Sequence, residues 1–302
     1  MTSRSLAEVR RTGLRVSVSL GIPGLSLVRA DGTATGLDVD FARAVSIALT
    51  GDDSSIEWMP TAPEERIPAV SAGYADLGAS NTSWTTARDA DVLFVGVLCH
   101  DGEGFMTLSS VIELAELHGS SVSVQAGTTT TLNLDRLRRE HGITLNAIEA
   151  PTPDAALHAY LSGETTAYVL DRSALAGIRA NLQDPEAHRV LPDTISYEPM
   201  APFVSSENVE LFRICRHVLF TLLNAEVTAV HSADALARLV GETDELASRW
   251  GLSDGWLRTV LDRIGHYGDI YAANLGERST LNLARSASNQ PIRSAGGQFS
   301  PP

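Results

Sequence analysis

The sequence predicts an α/β fold built from two successive α/β sets and a helical region after them. Three observations carry this. Short apolar or alternating runs, the mark of strands, interleave with helix-period segments from residue 14 to about residue 181. The interleaving restarts after Asp101-Gly102-Glu103-Gly104-Phe105-Met106, where two glycines suggest a bend or a close backbone approach. From residue 207 the pattern is helical only.

Each element has a local reason. Residues 5–12 predict a short helix. Leu14-Arg15-Val16-Ser17-Val18-Ser19-Leu20 alternates apolar and polar side chains, as a half-buried strand does. Gly21-Ile22-Pro23-Gly24-Leu25-Ser26 turns the chain at that strand's carboxyl end, where ligand loops of α/β folds sit. Asp31-Gly32 is a hairpin-type turn. After Gly36, residues 37–49 place Phe41, Ala44, Val45 and Ala48 on one helical face, with acids at the positive helix start. A strand at 56–60, a helix at 63–73 ended by Gly73, a strand at 74–77 and a strand at 92–97 complete the first set. The second set runs helix 111–118, strand 121–125, helix to about 139, strand 145–149, helix 154–162, strand 166–170 and helix 173–181. Residues 195–204 are extended and proline-punctuated, which suits a crossing between lobes. Helices follow at 207–226, 232–240, 244–250, 254–264 and 266–275. The tail from Arg278 is rich in Ser, Gly, Asn and Pro and reads as extended or mobile.

Composition bounds the function. The chain has 302 residues, 43% of them hydrophobic, which fits a globular protein of one large or two smaller domains. A net charge of −14 argues against nucleic acid and anionic membranes as partners. All 23 basic residues are arginine, so Schiff-base chemistry on a lysine is excluded. Cys99 and Cys215 each lie in an apolar run and read as buried free thiols, although the sequence does not exclude a disulfide between them. No metal-ligand spacing appears, and neither a metal nor another cofactor is expected. No apolar run is long enough to span a membrane. The N-terminus shows no secretory signal.

Three places can hold a small charged ligand. The loop Ala79-Ser80-Asn81-Thr82-Ser83-Trp84-Thr85-Thr86-Ala87-Arg88-Asp89 lies between two strands. Its hydroxyls and the planar fork of Arg88 suit a carboxylate, and the alternative is a solvated loop with an Arg–Asp surface pair. Ala126-Gly127-Thr128-Thr129-Thr130 opens a helix, either as an anion site or as an ordinary threonine cap. Asp171 ends a strand, either as the cap of the next helix or as a carboxylate aimed at a cation.

Taken together, these motifs resemble a known family. Gly21-Ile22-Pro23-Gly24, Gly36-Leu37-Asp38-Val39-Asp40, Arg66 with Pro68-Ala69-Val70, Asn81-Thr82-Ser83-Trp84-Thr85 with Arg88-Asp89, Asp101–Met106, Gly127-Thr128-Thr129-Thr130, Asp171 and Leu191-Pro192 stand in its order and spacing. The chain resembles the polar amino-acid-binding proteins of bacterial ABC transporters (solute-binding protein family 3), in particular the general L-amino-acid-binding subgroup, over nearly its whole length. The resemblance implies a two-lobed type II periplasmic-binding-protein fold with a hinge and a helical C-terminal extension on lobe 1. Lobe 1 would comprise 1–106 and 200–302, and lobe 2 would comprise 107–199. It implies a monomer that binds a free L-amino acid in the inter-lobe cleft and delivers it to an ABC permease. Arg88, Ser83, Asn81 and Thr85 would hold the α-carboxylate, Thr128 and Thr129 would add to it from lobe 2, and Asp171 would pair with the α-ammonium. It also implies a periplasmic or extracytoplasmic location, and the absent signal makes the cytoplasm the alternative.

The chain departs from the family pattern at several positions. Leu25 stands where an aromatic is usual, Ser80 where the subgroup has arginine, and Glu103 where glutamine is usual. The lobe 2 cysteine pair is missing, with Ser123 at its first place. A second reading follows from these departures: a non-exported lyase resembling cyclohexadienyl dehydratases and acting on a small amino or carboxylic acid. It would need a carboxylic acid to protonate a leaving hydroxyl, with Glu103 or Glu198 as candidates.

Overall fold

The structure, a computed structural model, describes residues 3–19, 21–126, 130–229 and 232–291. They form two compact units, each with a five-stranded sheet. The first unit holds the chain up to His100, Pro199–Ser279 and the chain from Arg285 on; the second holds Asp101–Glu198 and Thr280–Ala284. In chain order the sheet strands are β1 (Arg15–Val18), β2 (Glu57–Pro60), β3 (Leu77–Gly78), β4 (Val92–Phe94), β5 (Glu103–Leu108), β6 (Ser121–Gln125), β7 (Asn146–Ala150), β8 (Ala167–Asp171), β9 (His188–Val190) and β10 (Phe203–Ser205).

The first unit's sheet runs β2-β1-β3-β10-β4. β1 is parallel to β2 and β3, while β10 is antiparallel to β3 and β4. Asp76 fastens one end of this sheet. Its carboxylate takes Arg4, the Arg15 side chain and the Arg15 N–H, the last at 2.8 Å. The helix Leu37–Thr50 is buried over most of its surface, with Leu37, Phe41 and Ile47 fully enclosed. Each such side chain contributes roughly 1.5–3 kcal/mol by leaving water. This helix packs against the long helix Val209–Ala229 and the helix Trp256–Arg263, so the helical region after residue 207 is part of this unit's core.

The second unit's sheet runs β7-β6-β8-β5-β9. β6 is parallel to β7 and β8, and β5 is antiparallel to β8 and β9. Phe105, Val122, Val124, Val169 and Leu191 form the centre of one of its cores. Because β5 pairs with β8 and β9, residues 101–106 belong to this unit, not to the first. Thr280–Ala284 join it as well, although the sequence assigned the whole of 200–302 to lobe 1.

Several local expectations change. Residues 111–118 form only a short 3-10 turn, Leu114–Leu117, and the helix after Pro63 is confined to Arg66–Ser71. The expected helices at 232–240 and 244–250 are one helix, Ala233–Trp250, because Gly241 is accommodated inside it. β9 was not anticipated; it is three residues long and only partly buried, which hides its period. The tail is docked through residue 291, and 292–302 lie outside the described residues. Asn289 pairs its side-chain amide with His100, accepting from the N–H at 2.7 Å and donating to the C=O at 2.8 Å. Arg285 forks onto Glu226 and lies over the rings of Tyr267 and Tyr271. Both cysteines are buried and form no disulfide among the described residues.

Candidate functional site

The first unit builds one candidate site at the carboxyl end of β3. The chain leaves Gly78, takes a left-handed turn at Asn81 (φ 53°) and closes a 3-10 turn at Arg88–Ala90. The loop is stitched along one side by residues 199–201. Trp84 N–H donates to Pro199 C=O at 2.8 Å, and Ala201 N–H donates to Thr82 C=O at 3.0 Å. Trp84 also stacks on Phe94 with ring centroids 5.4 Å apart, which anchors the loop to the core.

Arg88 is positioned rather than neutralised. Its Nη1 donates to Ser83 C=O at 2.9 Å, and its backbone N–H donates to Thr85 Oγ1 at 3.3 Å. No carboxylate pairs with Arg88 among the described residues. The Arg–Asp pair considered from the sequence does not form, because Asp89 accepts the Trp84 indole N–H at 2.9 Å instead. A guanidinium fixed by one nitrogen keeps further donors in plane for a carboxylate. The Ser83 hydroxyl, partly exposed beside it, has no partner among the described residues. Leu25 and Ser80, the positions that depart from the family pattern, are each 1% exposed and therefore lie inside this unit.

The second unit places Asp171 at the carboxyl end of β8, at the cap position of the helix Arg172–Ala180. Its side chain does not cap that helix. Asp101 does so in its place, accepting from the Ser173 N–H at 3.2 Å and from the Ser173 hydroxyl, while Gly102 C=O accepts the Arg172 N–H. The two glycines beside it permit this: an added Cβ would lie 2.4 Å from Ser196 O at Gly102 and 2.5 Å from Arg172 Cγ at Gly104. Asp171 is therefore released from the commoner use of such a residue, and its carboxylate has no hydrogen bond or ion pair among the described residues. Burial, together with Asp101, Glu198 and Glu103 nearby, pushes its carboxyl up to about 7.

Glu103, the acid a lyase would need, is already engaged. Thr130 Oγ1 donates to one of its oxygens at 2.5 Å and Asn133 Nδ2 to the other at 2.7 Å. This ties the start of the helix Thr130–His141 to β5. Thr128 and Thr129 lie outside the described residues. Sequence reasoning assigned no role to Asp101 or Asn133 and read Thr130 only as part of a helix opening, because contacts between distant elements carry no signal in sequence spacing. It also read Asp38 only as an acid at a helix start.

Residues 14–251 match the model of the bacterial extracellular solute-binding proteins, family 3. The chain belongs to this family. It is 32% identical to the putative amino-acid ABC transporter-binding protein YhdW of Escherichia coli (strain K12), covering 99% of this chain and 92% of that one. It is also 32% identical to the general L-amino acid-binding periplasmic protein AapJ of Rhizobium johnstonii, over 100% and 93% of the two chains. Among solved structures, an ABC transporter periplasmic binding protein from Brucella ovis with glutathione bound aligns at a TM-score of 0.82 and 31% identity, covering 99% and 98%. The fold of this solute-binding protein is thus the type II periplasmic-binding-protein fold expected from the sequence. No helix among the described residues is long and apolar enough to cross a membrane. The lyase reading finds no support among these relatives, which are binding proteins.

Proposed function

We propose that this solute-binding protein is the receptor of an ABC amino-acid importer, acting outside the cytoplasm and delivering a free L-amino acid to a membrane permease. The two units serve as its two lobes. Arg88, with Ser83 and the backbone around Asn81 and Thr85, reads the α-carboxylate, Thr128 and Thr129 add donors from the second unit, and Asp171 reads the α-ammonium. The observation that carries this reading is one uncompensated charge in each unit: Arg88 has no acidic partner among the described residues, and the Asp171 carboxylate does not cap its helix, a role that Asp101 takes. Calorimetry with the twenty L-amino acids tests it. Binding of at least one with unchanged recovery of the ligand supports the reading, and no binding across the panel overturns it.

One relative favours a second ligand. The Brucella ovis protein has glutathione bound, and the γ-glutamyl residue of glutathione carries its own α-ammonium and α-carboxylate. The same two charges would read that end of the peptide. Reduced glutathione therefore belongs in the panel; tighter binding of it than of any free amino acid would select this reading.

The acid cluster sets a pH dependence. An ammonium binds ionised Asp171, so below its raised value near 7 a proton must first be removed. Affinity should fall as pH drops from 8 to 5.5, by up to about tenfold per unit, and Asp171→Asn should flatten this slope while weakening binding at pH 8. Stability of the unliganded protein should move the other way. Asp171 titrates higher folded than its ordinary 3.8, so the folded state holds more protons between those values and loses stability as pH rises through that window. Unliganded Asp171→Asn should therefore melt above wild type at pH 8, and by less at pH 5. A wild-type affinity that is flat from pH 8 to 5.5 would remove Asp171 from the ammonium site.

A further inference from the structure

Two charged side chains of the first unit hold Asn81 from behind, and neither is used in the recognition scheme above. Asp38 lies at the start of the helix Leu37–Thr50, and its Oδ2 accepts the Asn81 N–H at 2.9 Å. Arg66 begins the helix Arg66–Ser71, and its Nη1 donates to the Asn81 C=O at 3.2 Å. They are 5% and 8% exposed. Asn81 is one of two non-glycine residues with positive φ among the described residues, a conformation that its surroundings must hold.

This arrangement is costly as a mere loop staple. Burial drives the Asp38 carboxyl up to about 7 against the pull of the Asn81 N–H and of Arg66. Burial also lowers Arg66, Asp38 raises it, and Arg88 lowers it again, so the two guanidiniums are near enough to repel. Arg66 Nε is buried with no hydrogen-bond partner among the described residues. Buried charged groups are weak contributors to stability, and apolar residues of similar volume are often as good. What the pair does specify is direction. Asn81 is gripped at both its N–H and its C=O, two residues before Ser83, whose carbonyl anchors Arg88.

We propose that Asp38 and Arg66 are positioning residues of the carboxylate site: by clamping both backbone groups of Asn81 they fix the approach of Ser83 and Arg88 to the ligand. The proposal rests on the amino-acid-binding reading above. Neither residue touches the ligand in this scheme, so their effect is specific to the carboxylate end and passes through the loop.

The test uses the full chain, the ligand from the calorimetric panel that binds wild type most tightly, and that ligand's α-carboxamide. Arg66→Met should weaken the carboxylate ligand by about tenfold or more, the range for a lost bond to a charged donor. It should weaken the carboxamide less, so that discrimination between the two shrinks. Arg66→Lys, which keeps a charge and one donor for the Asn81 C=O, should recover part of that discrimination. Asp38→Asn keeps an acceptor for the Asn81 N–H but removes the charge facing Arg66, and should move affinity and discrimination in the same direction as Arg66→Met. Melting temperatures recorded alongside should not track the discrimination. Equal loss for both probes, or wild-type discrimination in folded variants, overturns the proposal. Should Arg66→Met fail to fold, the nearly isosteric Asp38→Asn decides by itself. Wild type that binds no member of the panel overturns the amino-acid reading and this proposal with it, whereas wild type that binds, with variants unchanged, overturns only the positioning role.

Discussion

Arg88→Ala is expected to abolish amino-acid binding while the protein stays folded. The guanidinium contributes little to the fold: it makes one side-chain hydrogen bond, to Ser83 C=O, and no ion pair among the described residues. The loop is held by other contacts, namely the Trp84 stack on Phe94 and the backbone bonds to Pro199 and Ala201. A ligand carboxylate placed there without its cation is desolvated and unpaired. Removing one partner of a buried, hydrogen-bonded charge pair costs about 2–5 kcal/mol or more, or roughly 30- to 5,000-fold in Kd. Arg88→Lys should recover only part of this, since an ammonium keeps the charge and loses the planar fork. Titration calorimetry with an unchanged melting temperature is the measurement. Near-wild-type affinity for Arg88→Ala would place the carboxylate elsewhere.

Arg285→Ala is expected to give the largest loss of stability. Glu226 lies within the long helix Val209–Ala229 and its side chain is 8% exposed; Arg285 reaches it from the tail with its own side chain 16% exposed. Two hydrogen bonds, at 2.5 and 3.0 Å, and the faces of Tyr267 and Tyr271 complete the enclosure. Removing the cation leaves a buried carboxylate unpaired, at a cost of about 3–5 kcal/mol. For a chain of this size that corresponds to a melting temperature lower by on the order of 10 °C. Replacing both partners by methionine should restore most of it, because the cost lies in the uncompensated charge. A melting temperature within 2 °C of wild type for Arg285→Ala, read roughly against the same scale, would show that the tail does not brace this unit.

Much of the architecture is legible in the residues themselves. Alternation at Leu14–Ser19 and the helical face of Phe41, Ala44, Val45 and Ala48 announce β1 and the helix behind it. The repeated strand–helix pattern announces two sheets, and both units do build their sheets this way. The loop at Asn81–Arg88 stands out by composition as hydroxyls and one arginine between strands, but composition alone leaves a solvated surface loop open as the alternative. The sequence placed the lobe boundary after residue 106, whereas the two compact units divide at Asp101, because β5 pairs with β8 and β9 and such long-range pairing leaves no local signal.

The roles of the acids could not be read the same way. Asp171, Asp101, Glu103 and Asp38 are alike in sequence, each a carboxylate near an element's end. Local periodicity and propensity act over a few residues, so the sequence by itself determined most of the strands and helices, the polar loop and the family to which they belong. The division of labour among the carboxylates depends on contacts between residues 27 to 72 positions apart: Asp101 to Ser173, Glu103 to Thr130, Asp38 to Asn81. Whether a carboxylate caps a helix, braces a loop or remains available for a ligand is decided by which donors the fold brings within hydrogen-bond reach and how much water it removes, and those are properties of the tertiary structure alone.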